Sequence, residues 1–444
     1  MKKHSLLPVI LWCGMAPGPL AAQDTVLQGV DLIDGTGRPP QHNVSIVIGG
    51  GRIRNIGPAA RIKPPAGANV VDLAGKTVMP GIINLHGHVG MTKGLTQGKE
   101  NYTRDNIEAH LRTYASYGVT SVVSMGSDAD PELMIRIRDE QRGGRLNGAR
   151  VYSAGRGFTI PGGYPAVLPG NKGVPFEVST AAQARAYVDE LAKMRVDLVK
   201  MWVDDHYGRY QKLPPELYTA IIDQAHKRKL KTAAHLFYLN DAKGLLDAGL
   251  DALAHSVRDR DVDEELIAKI KKNNAIAIPT LSREQSTFVY AVSPPWLDDP
   301  FFLRVVQPET VATVKSAAYR NRIFSDPDFA KNKAAFETAS RNLKKLRDAG
   351  VRLGFGTYTG PPARFQGFFE HWEMELMADA GLTPIEVIQA ASKNAAEFLG
   401  VSRDFGTLEK GKYADLIVLG KNPLDDIRNT RTIHSVYIGG QKFQ

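Results

Sequence analysis

Four histidines and one lysine stand where apolar runs end, and their types suit a metal centre. His86 and His88 close the first such run in "NLHGHVG". Residues two apart on a strand point the same way, so both imidazoles can face one cation, and Gly87 leaves room between them. His235 ends "TAAHLF" and His255 ends "ALAHSV". One HxH pair, or one core histidine, carries little weight; four at equivalent positions argue for metal binding. Lys200 lies within the apolar run "VDLVKMW". Desolvation and nearby positive charge favour its neutral amine, which could accept carbon dioxide and become a carbamate bridging two cations.

These residues need strands that all end on one side. Apolar runs recur at 81–86, 119–126, 150–155, 197–203, 231–237, 251–257, 275–281 and 351–357, separated by helical stretches such as "PELYTAIIDQAHKRK" and "DAKGLLDAG". In "TPIE", Thr383 caps a helix, Pro384 opens it and Glu386 closes a capping box. Eight strands with interleaved helices predict an α/β fold, a parallel (β/α)8 TIM barrel whose site lies at the C-terminal strand ends. A doubly wound open sheet is the alternative, but the early strands lack its phosphate-binding glycine fingerprint. Both chain ends read instead as short strands with glycine turns, for example "NVSIVIGGGRIRNIG" and "GKYADLIVLG". They predict a small antiparallel β-sandwich shared between 23–79 and 401–444, flanking a barrel over 80–400.

The first 22 residues have the form of a secretory signal: Lys2 and Lys3, an apolar middle, then Leu20-Ala21-Ala22. The expected location is therefore secreted or periplasmic. The apolar run is too short to span a bilayer, so no stable membrane association is expected. The single cysteine, Cys13, falls in this leader, which excludes a thiol nucleophile or thiolate ligand from the mature chain. The net charge of +9 comes from scattered basic residues without aromatic interleaving, so no nucleic-acid partner is expected. The partner expected is a small-molecule substrate, and a homo-oligomer is left open.

The strand-end histidines, Lys200, the run "TVMPGIINLHGH" and the return "GTLEKGKYADLIVLGKNPLDDI" resemble the amidohydrolase superfamily. The likeness is to its metal-dependent, prolidase-like dipeptidases and the imidazolonepropionase-related branch, and it spans nearly the whole mature chain. The resemblance implies two Zn2+ ions, one on His86 and His88 and the other on His235 and His255, bridged by carbamylated Lys200. It also implies amide hydrolysis by a metal-bridging hydroxide, with a dipeptide or N-acyl amino acid as substrate.

Two positions depart from that pattern. Where the family has Gly-Thr-Asp on the eighth strand, this chain has Gly356-Thr357-Tyr358, and "RLGFGTYTGPPAR" contains no other acid. Losing a positioned acid/base typically costs about 10²–10⁴-fold in rate. Tyr358 is then an alternative metal ligand, or a ring filling the nucleophile's place in a non-catalytic binding protein, or a residue supplemented by Asp128, Asp204 or Asp205. Tyr164, in "PGGYPA", takes the place of a histidine that polarises the substrate carbonyl; a tyrosine hydroxyl can still donate to an oxyanion. A cyclic amide or lactone hydrolase is a further alternative on the same fold. Arg156 and Arg283 follow strands and could hold a substrate carboxylate. The long segment 282–352 reads as a substrate wall, and His371 as a packed helix residue.

Overall fold

The computed structural model describes residues 23–443, so the expected leader and Cys13 lie outside the described residues. Both ends of the chain meet in one eight-stranded sheet. Its order is Gln441–Lys442, Ile433–Ile438, Leu416–Leu419, Thr77–Pro80, Thr25–Leu32, Gln41–Gly49, Arg52–Pro58, with Asn69–Asp72 also paired to Thr25–Leu32. The ends therefore join as the sequence suggested, but the sheet is mixed rather than antiparallel. After Arg52–Pro58 the chain crosses back over residues 59–68, and both Asn69–Asp72 and Thr77–Pro80 run parallel to Thr25–Leu32. Leu27, Ile46, Val78, Leu416 and Val418 fill this unit's own core. Arg150, at the foot of a central strand, is tied to it by an ion pair with Asp415 at 2.9 Å.

The central region has a TIM-barrel-type α/β fold, built from two parallel sheets rather than one uninterrupted ladder. One contains Arg150–Ser153, Val119–Ser124 and Ile82–Gly87. The other runs Phe176–Glu177, Phe158–Thr159, Leu198–Val203, Lys231–Leu236, Ala252–Leu253, Ile276–Ala277. The expected eighth strand is no ladder strand. Single parallel bridges hold it, Leu353 to Ala277 and Thr359 to Gly87, which set it between the last strand of one sheet and the first of the other. It approaches so closely that a Cβ on Gly360, whose φ is +113°, would stand 1.9 Å from the His88 carbonyl oxygen.

Alternation along the strands decides which side chains face inward. On Leu198–Val203, Leu198 packs in the interior cluster while Val199, Met201 and Val203 face the helices, which leaves Lys200 and Trp202 inside. Lys231–Leu236 repeats this with Ala233 inside and Ala234 outside, so His235 faces in. The first strand obeys the rule only through a bulge. Asn84 pairs with Val122 and Gly87 with Ser124, three residues against two. The extra residue turns His86 away from the outward face that Asn84 occupies, and the Asn84 carboxamide oxygen accepts the His86 N–H at 2.8 Å.

Candidate active site

His86, His88, His235 and His255 come together as the sequence predicts. All are at most 5% exposed, and their ring centroids lie 5.5 Å (His86–His88), 4.7 Å (His86–His255) and 4.3 Å (His235–His255) apart. Three of the rings are held through one nitrogen. His88 Nδ1 meets Ser127 Oγ at 2.7 Å, His235 Nε2 meets Asp204 Oδ2 at 2.8 Å, and His255 Nδ1 meets Thr280 Oγ1 at 2.5 Å. The opposite nitrogens, His88 Nε2, His235 Nδ1 and His255 Nε2, are buried without a partner, as is His86 Nδ1. Orphaned buried acceptors are costly unless something binds them. Burial holds all four imidazoles well below the ordinary histidine range, reinforced by neighbouring positive groups at His86, His88 and His255 and opposed by Asp204 at His235, hence neutral and able to donate a lone pair.

Lys200 is fully buried in the same group, its Nζ 3.4 Å from His86 Nε2. Burial drives its pKa well down, so the amine is neutral. Gly126 makes its place: a Cβ there would stand 2.7 Å from Lys200 Cγ. No three His, Cys, Asp or Glu groups among the described residues form a ready-made metal cluster. The fit to a cation rests instead on the clustered neutral imidazoles, each with an unpartnered nitrogen, and on the neutral lysine beside His86, a donor set that suits a borderline divalent metal. Ser127, Asp204 and Thr280 fix the rings from behind.

Tyr358 stands among these histidines. Its ring centroid is 4.3 Å from that of His88, 5.0 Å from His86 and 5.2 Å from His255. The backbone adopts φ +61°, unusual for a bulky side chain, and its N–H donates to the His86 carbonyl at 2.6 Å. Its hydroxyl meets that of Tyr164 at 3.0 Å. Burial pushes the Tyr164 phenol well up, with Tyr358 beside it acting in the same direction, so Tyr164 remains a proton donor.

The three acids considered as substitutes do not take the aspartate's place. Asp204 orients His235, and its other oxygen accepts the His206 N–H. Burial opposes its charge, but His235, His206 and Arg258 hold its carboxyl well below the usual range. Asp128 is buried between Ser124 and Ser153, and Asp205 accepts from Tyr238 and the Gly208 N–H. Arg156 is likewise no substrate ligand: its guanidinium clamps the carbonyls of Gly173, Val174 and Pro175. Arg283 does reach the site, with Cζ 5.8 Å from the Tyr358 ring centroid and Nη1 paired to Glu284 at 2.7 Å. His371 is a packed helix residue, bound to Thr430 and the Tyr117 carbonyl.

A pocket of about 590 Å3, counted with its open mouth, adjoins this centre. His88, Tyr164 and Tyr358 line it from the side of this centre; Leu168, Trp202 and Arg364 are among its other walls. Sequence reading missed Arg364, which follows a glycine-proline turn with no strand pattern to mark it.

The profile of the amidohydrolase family matches residues 77–442, most of the chain. The chain belongs to the amidohydrolase family. Among amidohydrolase relatives, the imidazolonepropionase of Streptomyces avermitilis is 24% identical over 384 residues, 85% of this chain and 80% of the relative. The crystal structure of a Bifidobacterium longum protein assigned as a prolidase is similar with a TM-score of 0.76 and 25% identity, over 95% of each chain. A Xaa-Pro dipeptidase structure with bound methionine reaches the same TM-score at 23% identity, over 95% of this chain and 99% of its own. Family membership supports hydrolysis of amide or other C–N bonds and a general use of divalent metals in the family.

Proposed function

We propose that this amidohydrolase is a metal-dependent hydrolase of a small amide, a dipeptide or N-acyl amino acid, exported by its first 22 residues. The observation that carries the reading is the group of four buried, neutral imidazoles, each with an unpartnered nitrogen, together with the neutral amine of Lys200, beside a pocket that His88 lines. His86, His88, His235 and His255 are the residues to hold zinc, with Lys200 as the bridging group once carbamylated. A divalent cation there supplies Lewis acidity toward the amide carbonyl. Tyr164, kept protonated, donates to the carbonyl oxygen as negative charge develops on it. Tyr358 occupies the acid's place, and its hydroxyl donates to the Tyr164 oxygen, which leaves the Tyr164 proton free for the carbonyl oxygen. Trp202 and Leu168 line the same pocket and limit water around the reacting bond.

One observation favours a second reading. The Tyr358 ring, rather than its hydroxyl, faces the imidazoles, as a plug in a non-catalytic binding protein would. The test is hydrolysis of a panel of dipeptides, N-acyl amino acids and cyclic amides by zinc-loaded protein, beside Tyr358→Asp. Turnover by the native chain supports the hydrolase and removes the plug. Silence from the native chain with turnover by the variant establishes the plug and refutes the hydrolase.

A further inference from the structure

Three guanidinium groups lie close to the site, and carboxylates do not serve them equally. Arg258 and Arg283 share Glu284, with nitrogen–oxygen distances of 3.0 and 2.7 Å. Asp204 is 4.0 Å from Arg258 and bonded to His235. Arg364 has no carboxylate within ion-pair distance among the described residues. Its Nε donates to Ser286 Oγ at 2.8 Å, which fixes the plane of the guanidinium. Its Cζ lies 5.1 Å from the Tyr358 ring centroid, a cation–π contact that fixes the other direction. The side chain is half-buried and lines the pocket that also holds Tyr164, Tyr358 and His88.

A cation held rigidly from two sides, facing an accessible pocket, with Glu284 acting on it only from beyond ion-pair distance, is built for an anion from outside. One guanidinium matches one planar, singly charged group, and its paired N–H donors match a carboxylate's two oxygens. The remaining walls, including Leu168, Pro165, Val174 and Trp202, suit an apolar side chain. We infer that Arg364 is the specificity-determining residue that binds the free carboxylate of the substrate, so that the substrate class is an N-acyl amino acid or dipeptide with an apolar residue at its acidic end. This rests on the hydrolase reading for its name as substrate, but its binding test does not need turnover. Arg283, already paired to Glu284, lends positive field rather than a fork.

The experiment measures binding of N-acetyl-L-leucine and N-acetyl-L-leucinamide to the zinc-loaded full chain by calorimetry. The two probes differ only in the carboxylate. The acid should bind roughly 10- to 100-fold more tightly than the amide, the range for hydrogen bonds to a charged group. Arg364→Met should bring the acid down to the amide's level, and Arg364→Lys, which keeps the charge but loses the fork, should fall between. Circular dichroism and zinc content of both variants exclude misfolding as the cause. Equal affinity for the two probes, no saturable binding of the acid, or a preference that survives in folded Arg364→Met each overturns the inference. Failure of the hydrolase reading looks different: the carboxylate preference persists while the whole amide panel goes uncleaved. Cleavage of neutral amides as fast as acids, by contrast, refutes the carboxylate subsite and leaves the hydrolase standing.

Discussion

The hydroxyls of Tyr164 and Tyr358 meet at 3.0 Å, linking residues 194 positions apart that both line the pocket. Each hydroxyl can donate once, so one proton is spent between them and the other is free for a substrate. Removing either hydroxyl should therefore disable both functions. Tyr164→Phe and Tyr358→Phe should each lower kcat by about 10²-fold with little change in KM, and the double variant should cost little more than either. Steady-state kinetics of the three variants checks this; additive losses would show that the hydroxyls act separately.

Asp204 should control metal affinity without touching substrate. It holds His235 by Nε2 and leaves Nδ1 free, so its loss releases the ring to rotate. Asp204→Asn should weaken zinc binding by about 10–100-fold, measured by competition with a chromogenic chelator. Unchanged affinity would leave Asp204 as a structural acid alone.

Lys200, if it bridges metals as a carbamate, should make zinc uptake depend on carbon dioxide. A buried neutral amine reacts with it, and the resulting anion needs cations beside it. Reconstitution in bicarbonate should give a higher zinc content per chain than reconstitution in degassed buffer. Lys200→Met should abolish the difference. Gly126→Ala should reproduce part of the defect, because its methyl group would press on Lys200 Cγ in a backbone at φ +85°. Metal analysis reads all three directly.

Glu370 should tilt the pH dependence of stability. It is fully buried, accepts from Asn84 Nδ2, Thr357 Oγ1 and Thr359 Oγ1, and burial pushes its carboxyl up to about 7. An acid raised on folding stabilises the folded chain while protonated, and that contribution is lost as pH rises from the ordinary glutamate range through about 7. The size is on the order of 3–4 kcal/mol for such a shift. The histidines act in the opposite sense, since their lowered values favour the folded state as pH rises through the ordinary histidine range. Comparing native chain with Glu370→Gln in urea melts from pH 5 to 8 separates the two. The variant should lose stability less steeply with rising pH, whatever its absolute stability; parallel curves would contradict the assignment.

Much of the site was legible because strand-end histidines announce themselves by spacing, and Lys200 by its apolar surroundings. The bulge that aims His86 was not, since it depends on how Asn84 and Gly87 register against Val122 and Ser124. The eighth strand read as "VRLGFGT" is apolar enough, but its glycines serve close approach to the first strand and leave bridges in place of a ladder. Arg156 and Arg364 show the limit for charged residues. Arg156 follows a strand in the sequence and Arg364 a glycine-proline turn; only the folded loops show that one clamps carbonyls and the other faces the pocket. Tyr358 was singled out by its type, while its ring-first packing depends on a left-handed backbone that type does not reveal.

The strand order of the terminal sheet also sets a timetable for making the protein. Thr77–Pro80, which leads straight into the strand bearing His86, pairs on one side with Thr25–Leu32 and on the other with Leu416–Leu419. Every strand of the central sheets is synthesised before that second neighbour exists. At typical translation rates of about 5–20 residues per second, the edge stays open for tens of seconds. Until then the segment leading into His86 is paired on one side only, and the barrel is built before the sheet that flanks it is complete.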